Sequence, residues 1–248
     1  MARGAVKERV VKNRINDHPA FVLHQYAYRE TSRLLDVFTR DHGRQTIYAR
    51  GVQRPGSQIR SVLLSFQPLL LSWFGQGEVK TLHAAQWQPG LPQLTGLPLL
   101  CAFYLNELLQ NLLPKEEPHP QLFVAYFDAI KALSSLAKEG AAVEPVLRLF
   151  EKSLLSELGL GVEWALTAQG GLAIEPQYHY HFVAQQGFNR SEAADACPGA
   201  LILQFAQDQM HDEALWPWAK VWMRQSLAAV LGDKLLHTRQ LLLDLQRI

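Results

Sequence analysis

The stretch Arg44-Gln-Thr-Ile-Tyr-Ala-Arg-Gly-Val52 decides the reading of this chain. Strand geometry throws successive side chains to opposite faces, so Arg44, Thr46, Tyr48 and Arg50 line one face and Gln45, Ile47 and Ala49 the other. A cation, an aromatic ring and a second cation then share one side. Single-stranded nucleic acid suits that combination. Guanidinium groups neutralise phosphates, and a ring is a stacking platform that tolerates any base, worth roughly 1–3 kcal/mol per base. The same alternation is also that of a plain solvated barrel face.

On either side of that stretch, residues 20 to 88 read as short β segments rich in Val, Leu, Ile, Tyr and Phe, punctuated by Gly, Pro, Asp and Ser. The spacing predicts strands over Phe21–Tyr28, Arg33–Arg40, Arg44–Val52, Phe66–Phe74 and Glu78–Gln86. Asp41-His-Gly43 and Gly75-Gln-Gly77 are short hairpin connections, whereas the loop from Gln53 to Ser61 is longer, polar and centred on Pro55-Gly56. Five strands in so short a span predict a small closed barrel, either OB-type or SH3-like; periodicity alone does not separate the two.

Beyond Gln88-Pro-Gly-Leu-Pro the period becomes helical. Leu100, Phe103, Tyr104, Leu108 and Leu112 recur at steps of three and four, as do Phe123, Phe127, Ile130, Leu133 and Ala137, and then Val143, Val146, Leu147, Phe150, Leu154 and Leu158. A last helix is expected from about Glu213 to Val230, with Trp218, Trp222 and Met223 inward, and a shorter one from Lys234. Residues 165 to 200 lose the period and read as an irregular, β-like insert with one hairpin through Tyr178, Tyr180 and Phe182. The expected class is therefore α+β: a basic arm (1–17), a five-stranded barrel (18–90) and a mostly helical domain (91–248) that contains the insert.

Charge follows the same division. Residues 1–95 hold thirteen Lys/Arg against six Asp/Glu, and the remainder eleven against seventeen, so a net +7 and a net −6 lie behind an overall charge of +1. Such asymmetry points to a polyanion-binding module joined to something else. The 48% apolar and 19% charged composition is that of an ordinary folded protein. The most apolar stretch, Val62 to Phe74, is interrupted by polar residues and proline and is too short to cross a bilayer. The first 17 residues have five basic side chains and no continuous apolar run, so they do not read as a secretory leader. Two cysteines, Cys101 and Cys197, allow no disulfide framework and no four-cysteine zinc site, which suits a reducing cytoplasm.

No phosphate loop, dinucleotide fingerprint, zinc-protease or nucleophile-elbow motif occurs. His179 and His181, with His211 or Cys197, form a weak metal-ligand set whose simpler reading is an exposed aromatic strand face. Cys101 reads as a packed thiol. Glu30, Asp36, Asp41 and Glu78 resemble a two-metal cluster only superficially, because Arg29, Arg33, Arg40 and Arg44 are interleaved with them and rim ion pairs explain the pattern more simply.

Longer stretches carry a resemblance. Ala20-Phe-Val-Leu-His-Gln-Tyr-Ala-Tyr-Arg-Glu-Thr-Ser-Arg-Leu-Leu-Asp-Val-Phe-Thr and Gly43-Arg-Gln-Thr-Ile-Tyr-Ala-Arg-Gly-Val resemble the opening of the RecO family of bacterial DNA repair proteins. Phe66-Gln-Pro-Leu-Leu-Leu, Gly77-Glu-Val-Lys-Thr-Leu, Tyr104-Leu-Asn-Glu-Leu-Leu and Arg148-Leu-Phe-Glu, leading to Leu158-Gly-Leu-Gly, resemble later family segments in the same order. The resemblance implies an OB-fold barrel and a helical C-terminal domain. It implies a non-enzymatic recombination mediator, cytoplasmic and nucleoid-associated, that binds single- and double-stranded DNA and anneals complementary strands. With RecR as partner, such a mediator helps load RecA onto DNA coated by single-stranded DNA-binding protein. Many members carry a four-cysteine zinc module where this chain has its insert with Cys197 alone, so the chain resembles a zinc-free branch and no metal or other cofactor is expected.

On this reading the leading phosphate contacts are Arg44, Arg50, Arg54 and Arg60, with Arg29, Arg33 and Lys80 behind them, and Tyr48 and Tyr28 as stacking platforms. The acidic C-terminal tail of single-stranded DNA-binding protein is expected to dock on the helical domain, where Lys131, Arg148 and Lys152 are the available cations. The rival reading is an OB-fold module for RNA or protein with no part in recombination.

Overall fold

The computed structural model describes residues 14–139 and 142–245. They form two compact units, one of the described residues up to Leu91 together with Pro114–Pro120, the other of Pro92–Leu113 and the described residues from Gln121 onward. The sequence assigns Pro114–Pro120 to the helical region, yet the segment returns to the barrel. Pro114 and Pro118 keep it out of helix, Glu116 turns the chain at φ 64°, Lys115 bridges Arg44 in parallel, and the Glu116 N–H donates to the Arg44 carbonyl at 2.9 Å.

The barrel strands are β1 (Arg14–Tyr28), β2 (Ser32–Thr39), β3 (Gly43–Ala49), β4 (Leu69–Phe74) and β5 (Val79–Trp87), with a short helix α1 (Gln58–Val62) in the long polar loop after β3. They close in the order β1-β2-β3-β5-β4, every ladder antiparallel except β3 with β5. This five-stranded Greek-key closure is the OB-fold.

β1 begins well before the expected Phe21 because it serves two ladders. Arg14–Ala20 pair with β4 and Ala20–Tyr28 with β2, and the ladders slip between Ile15 and His18 and between Val22 and His24. Asp17 sits at the first irregularity with φ 45°, its N–H donating to Ser72 Oγ at 2.9 Å. Bulges of this kind let one strand bend around a barrel. Residues 14–17 of the expected basic arm are therefore strand, and residues 1–13 lie outside the described residues. The interior holds Val22, Leu35, Val37, Ile47, Leu71 and Trp73 from β1 to β4, with Leu82 and Ala85 of β5 packed against them and partly buried. Gly43 opens β3 at φ +64°, where a Cβ would stand 2.0 Å from the Glu117 carbonyl oxygen.

The second unit comprises α2 (Gly96–Leu112), α3 (Pro120–Glu139), α4 (Glu144–Glu157), β6 (His179–Val183), β7 (Gly187–Arg190), β8 (Cys197–Pro198), α5 (Gly199–Ala206), α6 (Leu215–Leu231) and α7 (His237–Leu245). Phe123, Ile130 and Leu133 of α3, Leu147, Phe150 and Leu154 of α4, and Trp222 and Met223 of α6 bury as expected, whereas Phe127, Val146, Leu158 and Trp218 are half-buried. Of the α2 stripe only Leu108 is fully buried: it shares the buried face with Cys101, Ala102, Leu105, Asn106 and Leu109, while Phe103 is exposed, since a helix apolar all round gives periodicity little to read.

The insert forms a three-stranded sheet in the order β7-β6-β8. Phe182 and Phe188 on that sheet, Trp164 ahead of it, Phe205 of α5 and Trp222 of α6 make one aromatic cluster, with Trp164 stacked on Phe182 at 5.9 Å and Phe188 edge-on to Trp222 at 5.1 Å. Cys197 pairs opposite Tyr180 on the buried face, while His179 and His181 point outward, so these groups do not converge. Among the described residues no three His, Cys, Asp or Glu side chains group to hold a metal ion. Burial pushes the Cys101 thiol up to about 11 and the Cys197 thiol up to about 12, which keeps both protonated at neutral pH. No helix among the described residues is long and apolar enough to cross a membrane.

Candidate nucleic-acid interface

The pairing of β1, β2 and β3 sets the outer face of the barrel in rows. Tyr26, Leu34 and Tyr48 form one row, and Tyr28 and Ser32 the next. Beyond their ends the β1–β2 turn and the loop after β3 enclose a shallow groove of about 420 Å³, lined by Arg29, Glu30, Thr31, Ser32, Tyr48, Arg50 and Arg54. The loops are tied to each other. The Ser32 and Tyr48 hydroxyls lie 3.0 Å apart, the Gly51 N–H donates to Ser32 Oγ at 3.3 Å, and the Gln53 N–H donates to the Thr31 carbonyl at 2.9 Å. Arg29, in the left-handed region at φ 55°, carries its guanidinium 5.4 Å from the centre of the Tyr28 ring, a cation–π contact.

Four of the expected DNA-binding residues, Arg29, Tyr48, Arg50 and Arg54, thus share one groove, where Glu30 is the single carboxylate among the lining residues. Arg60 is exposed on α1 but does not line it. Arg33 is a brace: it donates to Gln25 Oε1 at 2.7 Å, and Gln25 in turn donates to the Leu63 carbonyl at 2.6 Å.

Arg44 and Lys80 are placed differently from the expectation. Arg44 is on the predicted face, yet its side chain is only 12% exposed and its Nε stands 3.6 Å from Asp36 Oδ1. Lys80 is equally withdrawn, donating to Glu116 Oε1 and to the Gly77 carbonyl, each at 2.6 Å. Alternation tells which side of a strand a residue occupies, not what later covers it, and Glu116 arrives on the returning Pro114–Pro120 segment. Neither cation is available to a polyanion without breaking an ion pair.

At the hairpin that joins β2 to β3, His18, His42 and Trp73 pack as three edge-on rings, with centroids 4.7 Å apart for the two histidines and 5.7 and 5.5 Å from each to the tryptophan. His18 Nε2 accepts the Asp41 N–H at 3.1 Å, which requires an unprotonated nitrogen. Burial, and then the neighbouring His42, lower the His18 pKa below its ordinary 6.5. A histidine depressed in the folded state binds its proton more readily when unfolded, so stability falls as pH drops below that ordinary value and levels off below the folded one. Thermal unfolding followed between about pH 8 and about pH 5 is expected to show this decline, and His18→Gln to flatten it; parallel curves for the two proteins would contradict the assignment.

In the helical unit the expected docking cations separate. Lys131 is exposed. Arg148 is not on the surface: its side chain is 8% exposed and its Nη2 lies 2.9 Å from Oε1 of the fully buried Glu151, to which the Tyr104 hydroxyl also donates at 2.6 Å. Burial raises the Glu151 carboxyl above its usual range against the opposing pull of Arg148, and burial followed by Glu151 raises Tyr104 well above its own. Lys152 closes the C-terminal end of α5, donating to the Phe205 and Ala206 carbonyls at 2.7 and 3.0 Å and to Asp208 at 2.6 Å. The i, i+3 carboxylate on the α4 stripe is the sequence signal for the Arg148 pair.

An OB-fold barrel with a cationic, tyrosine-bearing loop end, followed by a helical unit, defines an OB-fold protein of two-part architecture. Comparison with known proteins gives the family. Residues 15–89 match the model described as Recombination protein O N terminal, and residues 94–231 the model described as Recombination protein O C terminal. Among the relatives, a protein of Thiobacillus denitrificans named DNA repair protein RecO is 43% identical over 95% of this chain and 94% of its own length. Proteins of the same name from Azoarcus sp. (43% identical, 95% of this chain and 98% of theirs) and Dechloromonas aromatica (41%, 96% and 99%) are similar throughout. The chain belongs to the RecO family, and its role is in DNA repair and recombination.

Proposed function

We propose that the chain is a noncovalent recombination mediator that binds single- and double-stranded DNA through the loop end of its barrel and anneals complementary strands. The observation that carries this reading is the convergence of Arg29, Arg50 and Arg54 beside Tyr48 in one groove. Two complementary strands repel through their phosphates, and a surface that neutralises both lowers that barrier while leaving base edges free to pair. No bond is made or broken, so the protein acts as a mediator rather than an enzyme, in the cytoplasm where its DNA lies.

With RecR it assists the loading of RecA onto DNA covered by single-stranded DNA-binding protein. The acidic tail of that protein docks on the helical unit, for which Lys131 is the remaining candidate cation, since Arg148 and Lys152 have internal partners.

An annealing assay on complementary strands, bare or covered by single-stranded DNA-binding protein and with or without RecR, tests this. The full chain is expected to accelerate annealing of both kinds of strand, and Arg29→Gln/Arg50→Gln/Arg54→Gln to lose most of that acceleration. Equal rates with and without the chain, or tighter binding to RNA than to DNA with no annealing, would reject the proposal.

A further inference from the structure

Next to the arginine groove, β1 carries an aromatic strip that phosphate binding does not use. His24, Tyr26 and Tyr28 occupy alternate positions of the strand and therefore share its outer face. All three are exposed, Tyr26 at 50% and Tyr28 at 39%. Aromatic side chains in a barrel ordinarily fill its interior, which here already holds Trp73 and the aliphatic residues of the core cluster.

The strip is organised as two platforms. His24 and Tyr26 lean together with ring centroids 4.4 Å apart and planes inclined at 60°. Tyr28 meets Tyr48 edge-on at 5.7 Å, and Tyr48 is itself held through Ser32. Tyr48 belongs to the groove as well, so the strip and the cationic lane meet at that residue and at Arg29 over Tyr28.

We infer that His24, Tyr26 and Tyr28 form a stacking rail for unpaired nucleobases and are the residues that separate single-stranded from duplex DNA. The inference rests on the proposed DNA binding and refines it. Unpaired bases have free faces, and stacking on an aromatic ring accepts any of them. In a duplex those faces are already stacked inside the helix, and the outside offers phosphates and groove edges. The arginine lane therefore serves both forms of DNA, while the rail serves only the single strand. The adjoining guanidiniums favour this occupant over an apolar protein segment, because they supply the charge that the phosphates alongside such bases require.

The test measures the affinity of the full chain for a single strand and for a blunt duplex of equal length. His24→Ala/Tyr26→Ala is expected to lower single-strand affinity about tenfold or more, leaving duplex affinity and the salt dependence of both unchanged. His24→Phe/Tyr26→Phe is expected to restore binding, since the ring faces and not the polar atoms act. Should the alanine pair fold poorly, Tyr26→Leu keeps apolar bulk without a π face and is expected to lose single-strand affinity in the same selective way.

An equal loss on both forms of DNA, or none on either, overturns the rail. So do rail variants that keep single-strand affinity and lose RecR binding. The arginine variant Arg29→Gln/Arg50→Gln/Arg54→Gln distinguishes the two failures. If it weakens both forms of DNA while the rail variants weaken neither, the rail is wrong and the groove stands. If it leaves both unchanged, the groove itself is wrong.

Discussion

Arg148→Ala is expected to destabilise the helical unit by about 3–5 kcal/mol, the range for stranding one member of a buried ion pair. Glu151 is fully buried, and the substitution would leave it the hydrogen bond from the Tyr104 hydroxyl without the guanidinium beside it. The cost is that of an uncompensated charge in the interior, not the net worth of the pair. Replacing both charges, as Arg148→Met with Glu151→Gln, keeps an acceptor for Tyr104 and is expected to recover most of the loss. Urea denaturation followed by tryptophan emission reads this directly, because Trp164, Trp216, Trp218 and Trp222 all lie in that unit. An alanine variant within about 1 kcal/mol of the parent, the range of an ordinary surface substitution, would contradict the burial of the pair.

The same residue marks where sequence reasoning stops. Sequence alone makes Arg148 a surface cation because it is charged and stands in an acidic domain, whereas its neighbours on α4, Leu147, Glu151, Leu154 and Leu155, form the buried face of the helix. Lys80 and Lys152 mislead in the same manner, since their carboxylate partners Glu116 and Asp208 are 36 and 56 residues away along the chain. Local periodicity contains no trace of partners brought in by tertiary folding.

Where side chains answer to their own strand, the sequence suffices. Alternation in β3 puts Thr46 and Tyr48 outward and Ile47 and Ala49 inward, and the Gly-bearing hairpins fall where Asp41-His-Gly43 and Gly75-Gln-Gly77 predict them. The choice between barrel types needs the parallel β3–β5 ladder, a long-range pairing that periodicity does not encode. The early part of β1 escapes sequence reasoning because Asn16, Asp17, His18 and Pro19 break the pattern of a regular strand, and the chain accommodates them with a bulge.

The groove residues are legible because they sit in turns or at strand ends, where few neighbours can cover them. Arg29, Arg50 and Arg54 are exposed, in contrast to Arg44 near the start of β3, where the returning Pro114–Pro120 segment bridges the strand. Their proposed work is electrostatic, so it has a signature that packing defects do not share. Removing one phosphate-neutralising side chain should lower the log–log salt dependence of single-strand affinity by about 0.7, and the triple variant Arg29→Gln/Arg50→Gln/Arg54→Gln should lower it by roughly 2. Arg40 provides the control. It is exposed and basic, but its guanidinium is held by Asp41 at 2.9 Å beside the β2–β3 hairpin, away from the groove. Arg40→Gln is expected to leave the slope where it was.

The most direct measurement is therefore a salt titration of single-strand binding by the parent chain, the triple variant and Arg40→Gln, each confirmed folded. A slope reduced by roughly 2 is expected in the triple variant alone. A triple variant whose slope matches that of the parent would contradict the electrostatic role of the groove.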